Sequence, residues 1–371
     1  MIKLVDVVYY YHPGFTTVQP LLDKQQPAFG FTDFINPSLD IQFVKHLNYT
    51  GLEKIHGRLY AFFKSRNRFW WIPFATHRYI KQQNPDIVMI EGLLFPLQLV
   101  FLRLALGKNC RFIARHHGEK PFRGIKGALQ KLADKYIDAY VFTSYNNAAD
   151  WVHKVIKDSN KCVEVLEAST YFSRKEKLKS QNITGITGLY NFLWVGRLIS
   201  DKDPFTVLKA FEKYTLLQPD ARLYMIYQDD NLLADVKKII SQSKILGQAV
   251  TLVGKVNNTD LADWYSAANF FISGSYREAA GYAILEAMAC GCIPIVTTIP
   301  SFEKITENGK YGFLYMPGDV YALTTLLVAV NQINIDAYRL KIENYFKENL
   351  GFKKIAADIF DLCTQLHSIQ R

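Results

Sequence analysis

Short apolar runs rich in Val, Ile and Phe alternate along this chain with longer stretches whose apolar positions recur at helical spacing. The runs at 2–9, 86–90, 111–115, 139–143 and 162–166 read as strands, with helices expected near 94–106, 124–136 and 145–156. Residues 173–190 are charged and polar, carry two glycines, and read as a linker. Beyond them the alternation restarts. Strands are expected at 191–195, 222–227, 250–253, 270–273 and 293–296, and helices near 204–217, 230–245, 260–267 and 281–290. A long helical pattern over 336–369 ends the chain. Alternation of this kind predicts an α/β architecture, with parallel sheets covered on both faces. Two domains follow, 1–180 and 188–345, and 371 residues can give each its own core.

The stretch from Ser275 to Val296 carries the densest candidate chemistry. Glu278 and Glu286 stand eight positions apart, the first in a loop and the second on the helix that follows. Gly281 to Cys290 contains helix formers and no proline, and Gly291 suits the position just past a helix end. A helix start offers unpaired N–H groups and the positive end of the dipole, which suits a phosphate. Acids on either side of it can hold hydroxyls, a pattern that fits a sugar nucleotide. Two solvated glutamates on a helix face would show the same spacing.

Composition is ordinary for a globular protein, with 49% hydrophobic residues, although aromatics reach 14%. No apolar run approaches the ~18 residues of a membrane span, and the first ten residues read as a strand rather than a signal peptide. Five cysteines without C-x-x-C spacing argue against a disulfide frame or a zinc site and favour a reducing cytoplasm. The net charge of +10 sits in the first half of the chain, which suggests an anionic partner such as a membrane surface or a phosphorylated acceptor. Residues 51–82 mix Arg58, Lys64, Arg66, Arg68, Arg78 and Lys81 with Phe69, Trp70, Trp71 and other aromatics. That mixture suits a membrane interface, or a core with a solvated basic face. No nucleic-acid motif accompanies it, and no nucleic-acid partner is expected. Neither a P-loop nor a G-x-G-x-x-G fingerprint is present, which counts against ATPase and dehydrogenase chemistry.

Three turns at strand ends complete the candidate set. His12 follows the first strand, and His116-His117-Gly118 follows the strand at 111–115. A ligand position is expected at such strand ends in doubly wound folds. Gly196-Arg197-Leu198 follows the strand at 191–195 and leads to Lys202, which puts two cations in one turn, a pattern a solvated turn would also show. Asp201 and Asp203 spell D-x-D, but Pro204 next to them marks a helix start, so turn and cap roles are expected and no essential metal.

Glu278, Gly281, Glu286 and Ala287 to Gly291 resemble the E-x7-E signature of the retaining glycosyltransferases of family 4, with Ala279 and Ala280 in place of the usual Gly and Phe. The G-R-L…K turn and the His-Gly strand end resemble the same family. The resemblance implies a GT-B fold: two Rossmann-like doubly wound domains facing across a cleft, with the terminal helix (about 350–371) packed back on the first. It implies a nucleotide-diphosphate sugar of UDP or GDP type as donor and no cofactor. Arg197, Lys202 and the helix start near Gly281 would hold the diphosphate, and Glu278 and His117 the donor sugar. Ala279, Ala280 and Tyr282 would line the donor site, Glu286 would take the ribose, and the backbone of Lys255 and Val256 would lie beside the base. A glycan or lipid-linked acceptor, as in surface polysaccharide or lipopolysaccharide synthesis, would bind the first domain at the cytoplasmic face of a membrane. A sugar-nucleotide epimerase of the same fold and a non-catalytic membrane- or nucleic-acid-binding module are the competing expectations.

Overall fold

The computed structural model describes residues 1–64 and 72–368, which form two compact units. The first contains Met1–Ala168 and the chain from Phe352 onward, and the second spans Ser169–Gly351.

In the first unit eight strands form one sheet in the order β3-β4-β2-β1-β5-β6-β7-β8. They are β1 (Ile2–His12), β2 (Leu39–Leu47), β3 (Gly51–Ile55), β4 (Arg58–Phe63), β5 (Ile87–Glu91), β6 (Arg111–Arg115), β7 (Ala139–Phe142) and β8 (Cys162–Glu164). All neighbours run parallel except β3 and β4, a hairpin at the edge. The central strands are apolar on both faces, as a doubly covered parallel sheet requires. The sequence pattern does not announce β2, β3 or β4. β2 buries Lys45 and His46 among its apolar residues, which breaks the signal. Phe74–Gln83 is helical after Pro73, whereas Arg66, Arg68, Phe69, Trp70 and Trp71 lie outside the described residues.

The second unit is a six-stranded parallel sheet in the order β11-β10-β9-β12-β13-β14. Its strands are β9 (Tyr190–Gly196), β10 (Ala221–Tyr227), β11 (Val250–Gly254), β12 (Phe270–Ile272), β13 (Ile293–Thr297) and β14 (Phe313–Tyr315). Phe192 on β9 anchors its core. It stacks on Phe270 at 4.9 Å and meets Phe211 and Tyr214 of the helix Pro204–Leu217 edge-on at 5.5 Å.

The expected boundaries at 180 and 188 are corrected by the structure, because the second unit begins at Ser169. The polar segment read as a linker is instead tied to the helix Asn258–Ala267. Lys175 and Ser180 both bond Asp263, at 2.7 and 2.9 Å, and Lys175 N donates to Ser266 Oγ. Lys177–Thr184 is itself helical and ends at Gly185 with φ +70°. The upper boundary of 345 moves to Gly351. The long terminal pattern is two helices, Ile335–Tyr345 and Phe352–Ser368, separated by a π-helical turn and extended Gly351. The second of these helices contributes Phe352, Ile355, Ile359, Leu362 and Leu366 to the core of the first unit.

Candidate functional site

In the second unit the strand order reverses at β9, which has β10 on one side and β12 on the other. Ligands of open α/β sheets sit outside the carboxyl ends of the strands at such a reversal. β9 ends at Gly196 and delivers Arg197 and the turn Ser200–Lys202, while β12 leads into Ser273–Gly281. The two loops touch. Lys202 Nζ forms an ion pair with Glu278, and Ser275 Oγ donates to the same carboxylate oxygen at 2.8 Å. Ser301 Oγ bonds the Glu278 carbonyl at 3.1 Å and fixes the loop from behind. Gly274 permits this contact, since a Cβ there would lie 2.6 Å from the Asp203 carbonyl oxygen.

The helix expected from Gly281 to Cys290 runs Tyr282–Ala289, with Gly281 as its N-cap at φ +65° and no side-chain cap. Its first N–H groups therefore face the Glu278 loop without a protein acceptor from the cap residue. Ala280 is buried, Ala279 and Glu278 are half-buried, and Tyr282 is exposed. At the far end Gly291 takes φ +69°. Glu286 sits on the second turn and accepts a 3.0 Å hydrogen bond from Tyr265 Oη. Burial pushes its carboxyl up to about 7, against the opposing effect of that hydrogen bond.

Arg197 is not drawn into this group. Its side chain is exposed and lies 4.0 Å from Asp229. Lys255 and Val256 occupy the loop after β11, Lys255 exposed and Val256 half-buried. The D-x-D pair divides as turn and cap. Asp203, at φ +39°, caps Pro204–Leu217 by accepting from Thr206 N at 3.1 Å, and Asp201 pairs with Arg277 at 2.8 Å.

The first unit carries a second cluster, at the carboxyl ends of β5, β6 and β8, with Asp6 of β1 and Lys45 of β2 behind it. His117 is 21% exposed and both of its ring nitrogens are taken, Nδ1 by Glu167 at 2.6 Å and Nε2 by Glu91 at 2.5 Å. Burial alone would lower its pKa, but the hydrogen bonds and charges of the two glutamates raise it to about 10. His117 is thus an imidazolium at neutral pH, and its ring nitrogens are committed within the protein. Glu119 accepts from His117 N at 2.7 Å and from Tyr10 Oη at 2.9 Å, which shapes the turn. Arg115 reaches the carbonyls of Leu166 and Glu167 and lies 3.7 Å from Glu91. Behind them Asp6 is fully buried, and burial together with the Glu91 charge raises its pKa well above the usual range. Lys45 is drawn down to about 8 by the same burial, opposed by Asp6 and Glu91. His116 instead packs against Phe142 and Trp151. His12 is half-buried and rests edge-on against Phe15.

Sequence reasoning passed over Glu91, Glu167, Ser275 and Tyr265. Glu91 closes an otherwise apolar strand just before Gly92, which was a readable signal. Glu167 and Tyr265 join their partners only through the tertiary fold.

Residues 176–345, most of the second unit, match the family model described as glycosyl transferases group 1. The D-inositol 3-phosphate glycosyltransferase of Arthrobacter sp. is 28% identical over 210 residues, covering 53% of this chain and 48% of that protein. The alpha-monoglucosyldiacylglycerol synthase of Streptococcus pneumoniae is 27% identical over 166 residues, covering 44% and 37%. The chain therefore spans about half the length of the first relative and less of the second. The solved structure of Anabaena HepE in complex with UDP superposes with a TM-score of 0.73 at 12% identity, over 98% of this chain and 100% of that one. Likeness at that identity is likeness of fold. The chain has the GT-B fold of glycosyltransferases.

Proposed function

We propose that the protein is a retaining, metal-independent glycosyltransferase of family 4. It moves a sugar from a nucleotide-diphosphate sugar to a glycan or lipid-linked acceptor. The observation that carries this reading is the meeting of Lys202 and Glu278 across the sheet reversal, beside the uncapped helix start at Gly281. In the free protein the ammonium and the carboxylate satisfy each other. A bound donor separates their tasks: Lys202 and the helix N–H groups take the diphosphate, and Glu278 takes a sugar hydroxyl. As the bond from the anomeric carbon to the diphosphate breaks, its electron pair stays on phosphate oxygen, and cations there stabilise the added charge. Exposed Arg197 can turn from Asp229 to the same phosphates. Glu286, oriented by Tyr265, receives the ribose hydroxyls, and the backbone of Lys255 and Val256 flanks the base. The acceptor oxygen bonds to the anomeric carbon on the face the diphosphate leaves and passes its proton to the departing phosphate oxygen. With both ring nitrogens engaged by Glu91 and Glu167, His117 is not free to take that proton.

UDP bound to HepE supports a UDP-type donor, and the lipid product named for the streptococcal relative supports a lipid-linked acceptor. Such an acceptor fits surface polysaccharide or lipopolysaccharide assembly. The metal-independent part rests on Asp201 and Asp203, which are engaged by Arg277 and by a helix start.

Thermal unfolding against a panel of UDP-, GDP- and ADP-sugars with EDTA present tests the donor site. One donor is expected to raise the melting temperature of the wild type, and of Glu286→Ala much less. An equal shift in both proteins removes Glu286 from the site. A product of inverted anomeric configuration, read by proton coupling, removes the stereochemical part. Donor turnover without acceptor would favour the epimerase reading.

A further inference from the structure

The helix Gly124–Asp134 is amphipathic in the inverse sense for a surface helix. Its core side presents Gly127, Gln130, Ala133 and Asp134. Gln130 accepts from Phe122 N and donates to the Leu93 carbonyl, and Asp134 accepts from Tyr140 Oη. Gly127 allows the close approach, since a Cβ there would lie 2.5 Å from the Phe122 carbonyl oxygen. Of its larger apolar residues, Leu129 is half-buried and Ile125 and Leu132 point outward. Ile125 is 84% exposed and Leu132 39%, and exposed Ala128 lies between them. Their spacing of about two turns puts them on one stripe. Exposed Lys126 flanks the stripe on one side, and exposed Lys131 and Lys135 on the other. Lys120 and Arg123 precede the helix and, with Lys131, line a neighbouring groove of about 850 Å³, where Lys154 pairs with Asp150 at 3.1 Å. Over residues 120–135 the only acid is Asp134, and it is buried.

We infer that this face docks on an anionic phospholipid surface, with Ile125 and Leu132 entering the headgroup layer and the flanking lysines meeting lipid phosphates. The warrant is complementarity. A narrow apolar stripe bordered on both sides by basic side chains matches the boundary between acyl chains and anionic headgroups. Lysines can lay their stems along the apolar layer with their charges at the phosphates. Asp150 answers Lys154, but Lys126, Lys131 and Lys135 have no exposed acid within residues 120–135, so a neutral apolar partner would leave them unanswered. The surface shares no residue with the Lys202–Glu278 site and does not depend on the function proposed for that site.

The test uses the full chain and vesicles of phosphatidylcholine alone or mixed with roughly equal phosphatidylglycerol, with the bound fraction read by sedimentation. Binding to the mixed vesicles is expected to be at least about tenfold tighter than to neutral ones and to weaken with salt. The variants Ile125→Asp/Leu132→Asp and Lys126→Glu/Lys131→Glu alter solvent-facing positions. Each is expected to keep the wild-type melting temperature and to lose at least about tenfold in vesicle affinity. Absence of binding, equal binding to neutral vesicles, or binding untouched by both variants overturns the inference. So does a solution dimer that Ile125→Asp/Leu132→Asp converts to monomer, because a second copy then covers the stripe. Donor-induced stabilisation measured on the same proteins is expected to be unchanged. Its absence in the wild type would count against the transferase reading and leave the docking result standing.

Discussion

Glu286 and His117 both ionise far above their ordinary range, so each contributes stability that is lost as pH rises, in different pH windows. The Glu286 carboxyl sits near 7 in the folded protein, above its unfolded value. Relative to the unfolded chain, its contribution to stability is therefore greatest in acid and is lost as pH rises towards 7. Glu286→Gln is expected to raise the melting temperature at pH 8 and to change it little at pH 4, as read by calorimetry. Because ribose hydroxyls donate to the ionised form, donor affinity of the wild type is expected to fall as pH drops below about 7. Tyr265→Phe removes the bond that favours the carboxylate and is expected to move that fall to higher pH. His117, near 10, is stabilising in its charged form below its unfolded value, and this contribution is lost only as pH rises through 10. Its ring signals in nuclear magnetic resonance should not titrate between pH 6 and 8, whereas in Glu167→Gln the midpoint should move down. His117→Ala removes the cation between Glu91 and Glu167 and leaves only Arg115 beside Glu91, with a loss of about 3–5 kcal/mol expected in denaturant unfolding.

At the scale of elements, the loop that joins Lys202 to Glu278 depends on the missing side chain of Gly274. Gly274→Ala drives a methyl into the Asp203 carbonyl and should cost about 1–3 kcal/mol. It should also abolish donor-induced stabilisation, because the turn carrying Lys202 must retreat. A variant that keeps the donor response would show that the two loops are not coupled through this contact. Much of this element was legible in advance. Gly281 and Gly291 bracket a proline-free helix, and both take positive φ in the fold. The strands of the second unit follow their apolar runs closely, because sheets buried on both faces write themselves as continuous hydrophobic sequence. The edge of the first sheet was not legible. Lys45 and His46 are polar residues placed inside a strand, and only the tertiary fold supplies Asp6, Glu91 and Gln25 around them. The Glu91–His117–Glu167 arrangement shares that opacity, for its members are spread over residues 91 to 167 and belong to three different strand ends. The terminal helix was read too long, because its apolar period continues across the break at Gly351.

On the scale of the whole molecule, the chain leaves the first unit at Ala168 and returns to it at Phe352. The returning helix buries Phe352, Ile355, Ile359, Leu362 and Leu366, each worth about 1.5–3 kcal/mol when fully buried. Truncation after Gly351 is therefore expected to unfold the first unit and spare the second. Limited proteolysis should then leave a fragment close to 169–351, and that fragment should retain the donor-induced stabilisation of the parent. This division also sets an order of events during synthesis. The ribosome makes the amino-terminal strands first, yet the helix that completes their core emerges only after the whole inserted unit, Ser169–Gly351. The inserted unit has all of its strands by Tyr315 and can fold on the nascent chain. The unit whose strands are translated first is thus completed after the one inserted into it, and it waits as an open-sided sheet while residues 169–351 are made.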